Sequence, residues 1–203
     1  GDLRAAGAEI VDPLVIPNFE QHLAGGRFCN RFRADVAAYL DARGGVPWRD
    51  VATRLAAFEV HPANVGRFKF FTQGPLAPPS AWDPPCPGFA DHLERQAFLA
   101  AVTGALDAAK VDALLYPSWT AVPASLSGAD AEYTGDNSQR LAPGTGMPAL
   151  TVPMGFTREG RLPAGLQWLG RRWDDHRLLQ LAYAYEQATG HRRPPPATPP
   201  LAP

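Results

Sequence analysis

Two prolines constrain this chain more than any other feature: Pro148 and Pro153 bracket the short apolar run Ala149-Leu150-Thr151-Val152. Proline removes a backbone donor and breaks helix interiors, and a run this short cannot make a helix, so the stretch predicts a short strand buried on both faces. Upstream, Asp136 to Gly146 is polar, with Gly144 and Gly146 where backbone can turn sharply or approach a ligand. Downstream, Thr157-Arg158-Glu159-Gly160-Arg161 reads as a polar turn, and Leu162 to Leu169 as a second strand. The expected unit is a hairpin with a polar mouth, Asp136 to Gly146, where exposed N–H groups and small side chains can meet a ligand.

The rest of the chain alternates helix and strand signals. Asp2 to Gly7 reads as one helical turn and Ala8 to Asp12 as a strand. Asn18 is positioned to cap a helix that begins near Phe19 and continues one apolar face through Phe28, Phe32, Val36, Tyr39 and Leu40 to Gly44, broken or kinked at Gly25-Gly26. Pro47 suits the start of another helix, Trp48 to Phe58. Phe89 to Ala109 is expected as the longest helix, with Phe89, Leu93, Ala97, Ala100, Gly104 and Ala108 on its apolar stripe, widened by Leu99, Val102 and Leu106. Val111 to Tyr116 follows as a strand ending at Pro117, the helix-to-strand unit of an α/β sheet. Asp174 caps a last helix with Leu178, Leu181, Ala182, Tyr185 and Ala188 inward, Gly190 stops it, and a proline-rich tail runs from 192 to 203.

Charge and composition exclude several classes. A net charge of -1 supplies no electrostatic pull toward nucleic acid or an anionic membrane. The patch Arg67-Phe68-Lys69-Phe70-Phe71 interleaves basic and aromatic residues but reads as packing surface. No apolar run reaches the roughly eighteen residues of a membrane span, and the first residues do not resemble a signal peptide. The compartment stays open, with a soluble, cytoplasmic protein slightly favoured. Cys29 and Cys86 have no metal-ligand spacing and are read as free thiols or a pair. His22, His61, His92, His176 and His191 form no metal-ligand cluster, so neither metal nor organic cofactor is expected.

The string Thr145-Gly146-Met147-Pro148-Ala149-Leu150-Thr151-Val152-Pro153-Met154-Gly155, then Gly160-Arg161-Leu162-Pro163-Ala164-Gly165-Leu166-Gln167, then Leu178-Leu179-Gln180-Leu181-Ala182-Tyr183-Ala184-Tyr185-Glu186, resembles the C-terminal third of the amidase signature family. The resemblance runs roughly from Leu3 to Pro195. It implies the C-terminal part of an α/β/α sandwich around a mixed sheet, completed by a partner chain, with residues 1–191 part of one domain and 192–203 a tail. The family hydrolyses amides with a serine nucleophile, a second serine in a cis peptide and a proton-relaying lysine, all upstream of the resembling segment.

That chemistry has no counterpart here. Ser80, Ser118, Ser125, Ser127 and Ser138 are scattered, Lys69 and Lys110 do not match the family's lysine, and no Gly-x-Ser-x-Gly elbow occurs. The chain opens on the last turn of a helix, which suggests a processed or split protein. The expectation is therefore the C-terminal chain of a two-chain serine amidase, inactive by itself, with the catalytic serines and lysine on an upstream chain and a small-molecule amide as substrate. The alternative is a non-catalytic subunit or assembly module on the same fold. No residue of this chain is expected to be catalytic. Substrate-binding residues are expected in two places: Tyr116, Ser118, Trp119 and Thr120 at the end of a strand, where ligands of open α/β sheets bind, and Asn137, Gln139, Thr145 and Gly146 in the polar loop. Thr145-Gly146 matches a position near the family's active site, while Pro143 stands where many members carry asparagine.

Overall fold

The computed structural model describes residues 1–25, 29–45, 50, 52–53, 61–133, 140–157, 160–195 and 198. The expected helix Trp48 to Phe58 falls largely outside them. The described helices are α1 (Asp2–Ala5), α2 (Phe19–Gly25), α3 (Phe32–Arg43), α4 (Val65–Thr72), α5 (Leu93–Ala109), α6 (Ala129–Glu132), α7 (Leu141–Thr145) and α8 (Asp175–Thr189). The strands are β1 (Leu114–Pro117), β2 (Ala149–Thr157) and β3 (Leu162–Leu169). No helix among the described residues is long and apolar enough to cross a membrane. The chain divides into two units, Gly1–Leu23 with Glu94–Pro203, and Ala24–Leu93.

In the first unit β3 is the central strand, antiparallel to β1 on one side and β2 on the other. Its register sets which side chains share a face, because side chains alternate along a strand and paired residues point the same way. Leu114, Leu169 and Ala149 form one rung and Tyr116, Gln167 and Thr151 the next rung on the same face. Leu115, Trp168 and Leu150 lie on the opposite face. The first face packs Leu169, Leu114 and Tyr116 against Phe98, Val102 and Leu106 of α5. The second packs Val152 and Trp168 against Leu178, Ala182 and Tyr185 of α8. A helix thus covers each face, which is the expected α/β/α layering. Within the described residues β1 and β2 each keep one edge without a strand partner.

Several expectations need correction. β2 does not stop at Pro153 but continues to Thr157, with the ladder shifted between Pro153 and Gly155. As an edge strand it is bonded on one side only, so it tolerates a proline at a bulge. For the same reason it is not buried on both faces: Ala149 and Thr151 are exposed. Ala8 to Asp12 is not a strand. The segment after it instead lays Leu14 and Ile16 on the first core. α5 begins at Leu93, after a turn closed by the Asp91 N–H donating to the Gly88 carbonyl at 3.1 Å. Its buried face is Phe98, Val102, Ala105 and Leu106 with Arg95, while Phe89 and Leu93 are exposed. The large branched side chains, which gain most from leaving water, take the inward stripe over the alanines. Asn18 adopts a left-handed conformation (φ 54) just before α2, which starts at Phe19 as expected; of the two outcomes expected at Gly25-Gly26, a break or a kink, the helices are separate, α2 ending at Gly25 and α3 starting at Phe32. β3 spans Leu162–Leu169 as expected, and α8 ends at Gly190 with φ 58 in the left-handed region where glycine is favoured.

The second unit is held locally. Cys29 and Cys86 form a disulfide, so the pair left open by the sequence is oxidised. The Arg33 guanidinium donates to both carboxylate oxygens of Asp50, at 2.9 and 2.6 Å. That bidentate pair, joined by the Ala52 N–H and the Thr53 hydroxyl, holds the Asp50 carboxyl well below the usual carboxylate range. The aromatic patch of α4 packs in part: Phe71 lies 5.4 Å from Phe32 and 5.3 Å from Phe70 between ring centroids.

Candidate functional site

Polar side chains inside an otherwise apolar sheet mark the place to look, because burying them requires hydrogen bonds. Ser118 follows β1 and is 7% exposed, and Gln167 in the centre of β3 is 9% exposed. Thr151, opposite Gln167 in the register, joins them. The Thr151 hydroxyl donates to Gln167 Oε1 at 2.9 Å and lies 3.0 Å from Ser118 Oγ. A hydroxyl has one proton; with Thr151's given to Gln167, Ser118 is the donor in the second contact. The Ser118 N–H donates to the Gly165 carbonyl at 2.8 Å, which fixes the chain as it leaves β1. Gly165 is small of necessity, since a Cβ there would lie 2.6 Å from Thr151 Cγ2 and 2.8 Å from Ser118 Oγ.

Tyr116 completes the row from the same face. Its buried hydroxyl has no hydrogen-bond partner among the described residues. Burial favours the neutral phenol and pushes its pKa up to about 12. The row is therefore uncharged: two hydroxyls, a phenol and an amide. Ser118 bonds only to Thr151 and the Gly165 carbonyl, neither of which is a base, so nothing among the described residues makes it a nucleophile. No group of His, Cys, Asp and Glu among the described residues could hold a metal ion.

Gln167 also opens onto a cleft of about 540 Å³, lined in addition by Pro143, Gly146, Met147, Pro148 and Trp173. Its wall comes from α7, the one helical turn into which part of the expected polar loop folds. Gly146 ends that turn at φ 71, a left-handed position that suits glycine. Arg95, 4% exposed on α5, donates to the Pro143 carbonyl at 2.7 Å and pins the turn from behind. Burial, then the nearby Arg172 charge, lowers the Arg95 pKa to about 10, still leaving it protonated at neutral pH.

The structure brings together Tyr116 and Ser118, and it places Gly146 on the cleft that Gln167 enters. Thr145 is 4% exposed, and its hydroxyl donates to the Leu141 and Ala142 carbonyls at 2.9 and 3.2 Å, so that group caps its own turn. Trp119 is half exposed and stacks edge-on against Tyr133 at 6.1 Å, while Thr120 is exposed. Asn137 and Gln139 lie outside the described residues. Thr151 and Gln167 were not singled out as site residues from the sequence. The signal was present, a polar residue within each apolar strand, but only the register shows that the two meet.

No family model matches the chain. Over 103 residues, 51% of this chain, it is 35% identical to a subunit of the glutamyl-tRNA(Gln) amidotransferase of a Psychrobacter species. It is 40% identical over 88 residues, 41% of the chain, to the corresponding subunit from a Ruegeria species. Each match makes up 18% of the relative's own length. Among solved structures, the native peptide amidase of Stenotrophomonas maltophilia superposes on 96% of this chain with a TM-score of 0.64 and 31% identity, over 39% of its own chain. In sequence and in fold, this chain is a relative of the amidase signature proteins, matching them over part of their length.

Proposed function

We propose that this chain is the C-terminal chain of a two-chain serine amidase that hydrolyses a carboxylic amide to an acid and an amine or ammonia. The chain supplies part of the substrate pocket and of the sheet, and an upstream chain supplies the serine, cis-serine and lysine. The observation that carries this reading is the uncharged polar row Tyr116, Ser118, Thr151 and Gln167 beside a cleft, in a relative of amidases, with no base beside Ser118. The open edges of β1 and β2 support completion of the sheet from outside, since both faces are already covered by helices and unpaired edges at a core are costly. On this reading residues 1–191 form part of one domain and 192–203 its tail.

Among the described residues no nucleophile stands beside a base, which also favours a second reading, a binding or assembly module with the same fold. Co-expression of this chain with the upstream segment separates them. The amidase reading expects release of ammonia or amine from simple amides by the purified assembly and none by this chain alone. A folded assembly carrying the serines and lysine that hydrolyses none of a broad amide panel would sink it.

The Cys29–Cys86 disulfide bears on the compartment. Such bonds persist where the environment is oxidising, which argues for a site of action outside the reducing cytoplasm.

A further inference from the structure

We propose that Gln167 is the residue that receives a carbonyl oxygen of the substrate, with Thr151 and Ser118 fixing which way its amide points. This rests on the amidase reading and names a contact within it. A glutamine side chain can present either its oxygen or its nitrogen to a ligand, and its hydrogen-bond network decides which. Here the Thr151 hydroxyl donates to Gln167 Oε1 at 2.9 Å, and Ser118 donates to Thr151 at 3.0 Å. The acceptor end is thereby committed to the protein. The two N–H groups of Gln167 meet no protein acceptor among the described residues, and the residue lines the cleft. Because Gln167 lines the cleft, a ligand there that supplies an acceptor takes these N–H groups in place of water.

The cleft defines the ligand class. Pro143, Met147, Pro148 and Trp173 give it apolar walls, and Asp175 is the one acidic group among its lining residues. An apolar group bearing a neutral carbonyl fits this lining. A carboxylate fits poorly, because the donor facing it is uncharged and the acidic side chain would repel it. The site takes an uncharged amide with an aliphatic or aromatic body.

The test uses the assembled two-chain protein and two probes, N-acetyl-leucinamide and 2-methylpentane, which keeps an aliphatic body with no hydrogen-bond acceptor. Binding is measured by calorimetry for the wild type, Gln167→Glu, Thr151→Val and Thr151→Ser. Gln167→Glu removes the N–H donors and should weaken the amide about tenfold, leaving the hydrocarbon unchanged. Thr151→Val frees the amide to flip and should weaken the amide severalfold, while Thr151→Ser restores it. Thr151 is exposed, so its variants carry the test if Gln167→Glu fails to fold. Equal loss for both probes, unchanged amide affinity in Gln167→Glu and Thr151→Val, or no binding of the amide to the wild type overturns the proposal. Hydrolysis is followed separately: binding with these mutational effects but no turnover overturns the amidase reading alone, and turnover with affinity indifferent to both variants overturns the role of Gln167 alone.

Discussion

Thr151 on β2 donates its hydroxyl proton to Gln167 on β3 across a directly paired register position, at 2.9 Å. This contact joins the hairpin to the strand end at Ser118 and makes one polar row of three strands. A change to any member should be felt by the others, which gives the site its sharpest tests.

Gly165→Ala should disorganise the row from within the sheet. The added methyl meets Thr151 Cγ2 at 2.6 Å and Ser118 Oγ at 2.8 Å, so both side chains must move. A loss of about 1–3 kcal/mol in stability is expected, read by denaturant unfolding. Unchanged stability would show that the row yields without cost.

Tyr116→Phe should hold or raise stability at neutral pH, because it removes a buried hydroxyl that has no partner. The alkaline limb follows from the raised phenol pKa. The folded state keeps the proton up to about 12 while the unfolded chain releases it near 10, so the stability tied to this group is complete below about pH 10 and lost as pH rises toward 12. The phenylalanine variant should show a shallower loss of thermal stability across that window. An identical alkaline profile would place the Tyr116 hydroxyl in contact with solvent.

Loss of the disulfide should weaken the second unit. Cys29 and Cys86 are 57 residues apart, and a cross-link over that span restrains the unfolded chain by about 2–4 kcal/mol. Intact mass with and without reduction, after thiol alkylation, should show no reactive thiol before reduction and two after. Two thiols in the unreduced protein would remove the argument for an oxidising compartment.

Acid should act on the same unit through Asp50. Its carboxyl pKa is depressed by Arg33, so the stabilisation is present above the unfolded value near 4 and is lost as pH falls below it. Asp50→Asn should remove that acid dependence and lower stability at neutral pH, as followed by thermal unfolding between pH 2 and 7. A variant that matches the wild type at every pH would show that the pair contributes nothing.

Much of the hairpin and the last helix was legible because their ends are written in single residues. Pro163 and Gly165 do not interrupt β3, and Asp174 and Gly190 bound α8 as helix-end preferences predict. What escaped depends on partners distant in sequence. Nothing local to Pro153 says that β2 is an edge strand able to continue past it, and nothing in Ala8 to Asp12 says that it stays out of the sheet. On the inward face of α5, Val102 and Leu106 were legible, but Phe98 was not, because the small residues beside it also repeat at helical spacing although it has far more surface to bury. Thr151 and Gln167 were each visible as polar residues in apolar strands, but their meeting with Ser118 is a property of register.

The central claim, that this chain completes an amide hydrolase whose nucleophile lies on another chain, is tested most directly by purifying it with the upstream segment and following ammonia or amine release from N-acetyl-leucinamide and a panel of simple amides. The account predicts a stable two-chain assembly that hydrolyses at least one of them, with activity abolished when the upstream serine is replaced by alanine and absent from this chain alone. A folded assembly without hydrolysis, or hydrolysis by this chain unaccompanied, would contradict it.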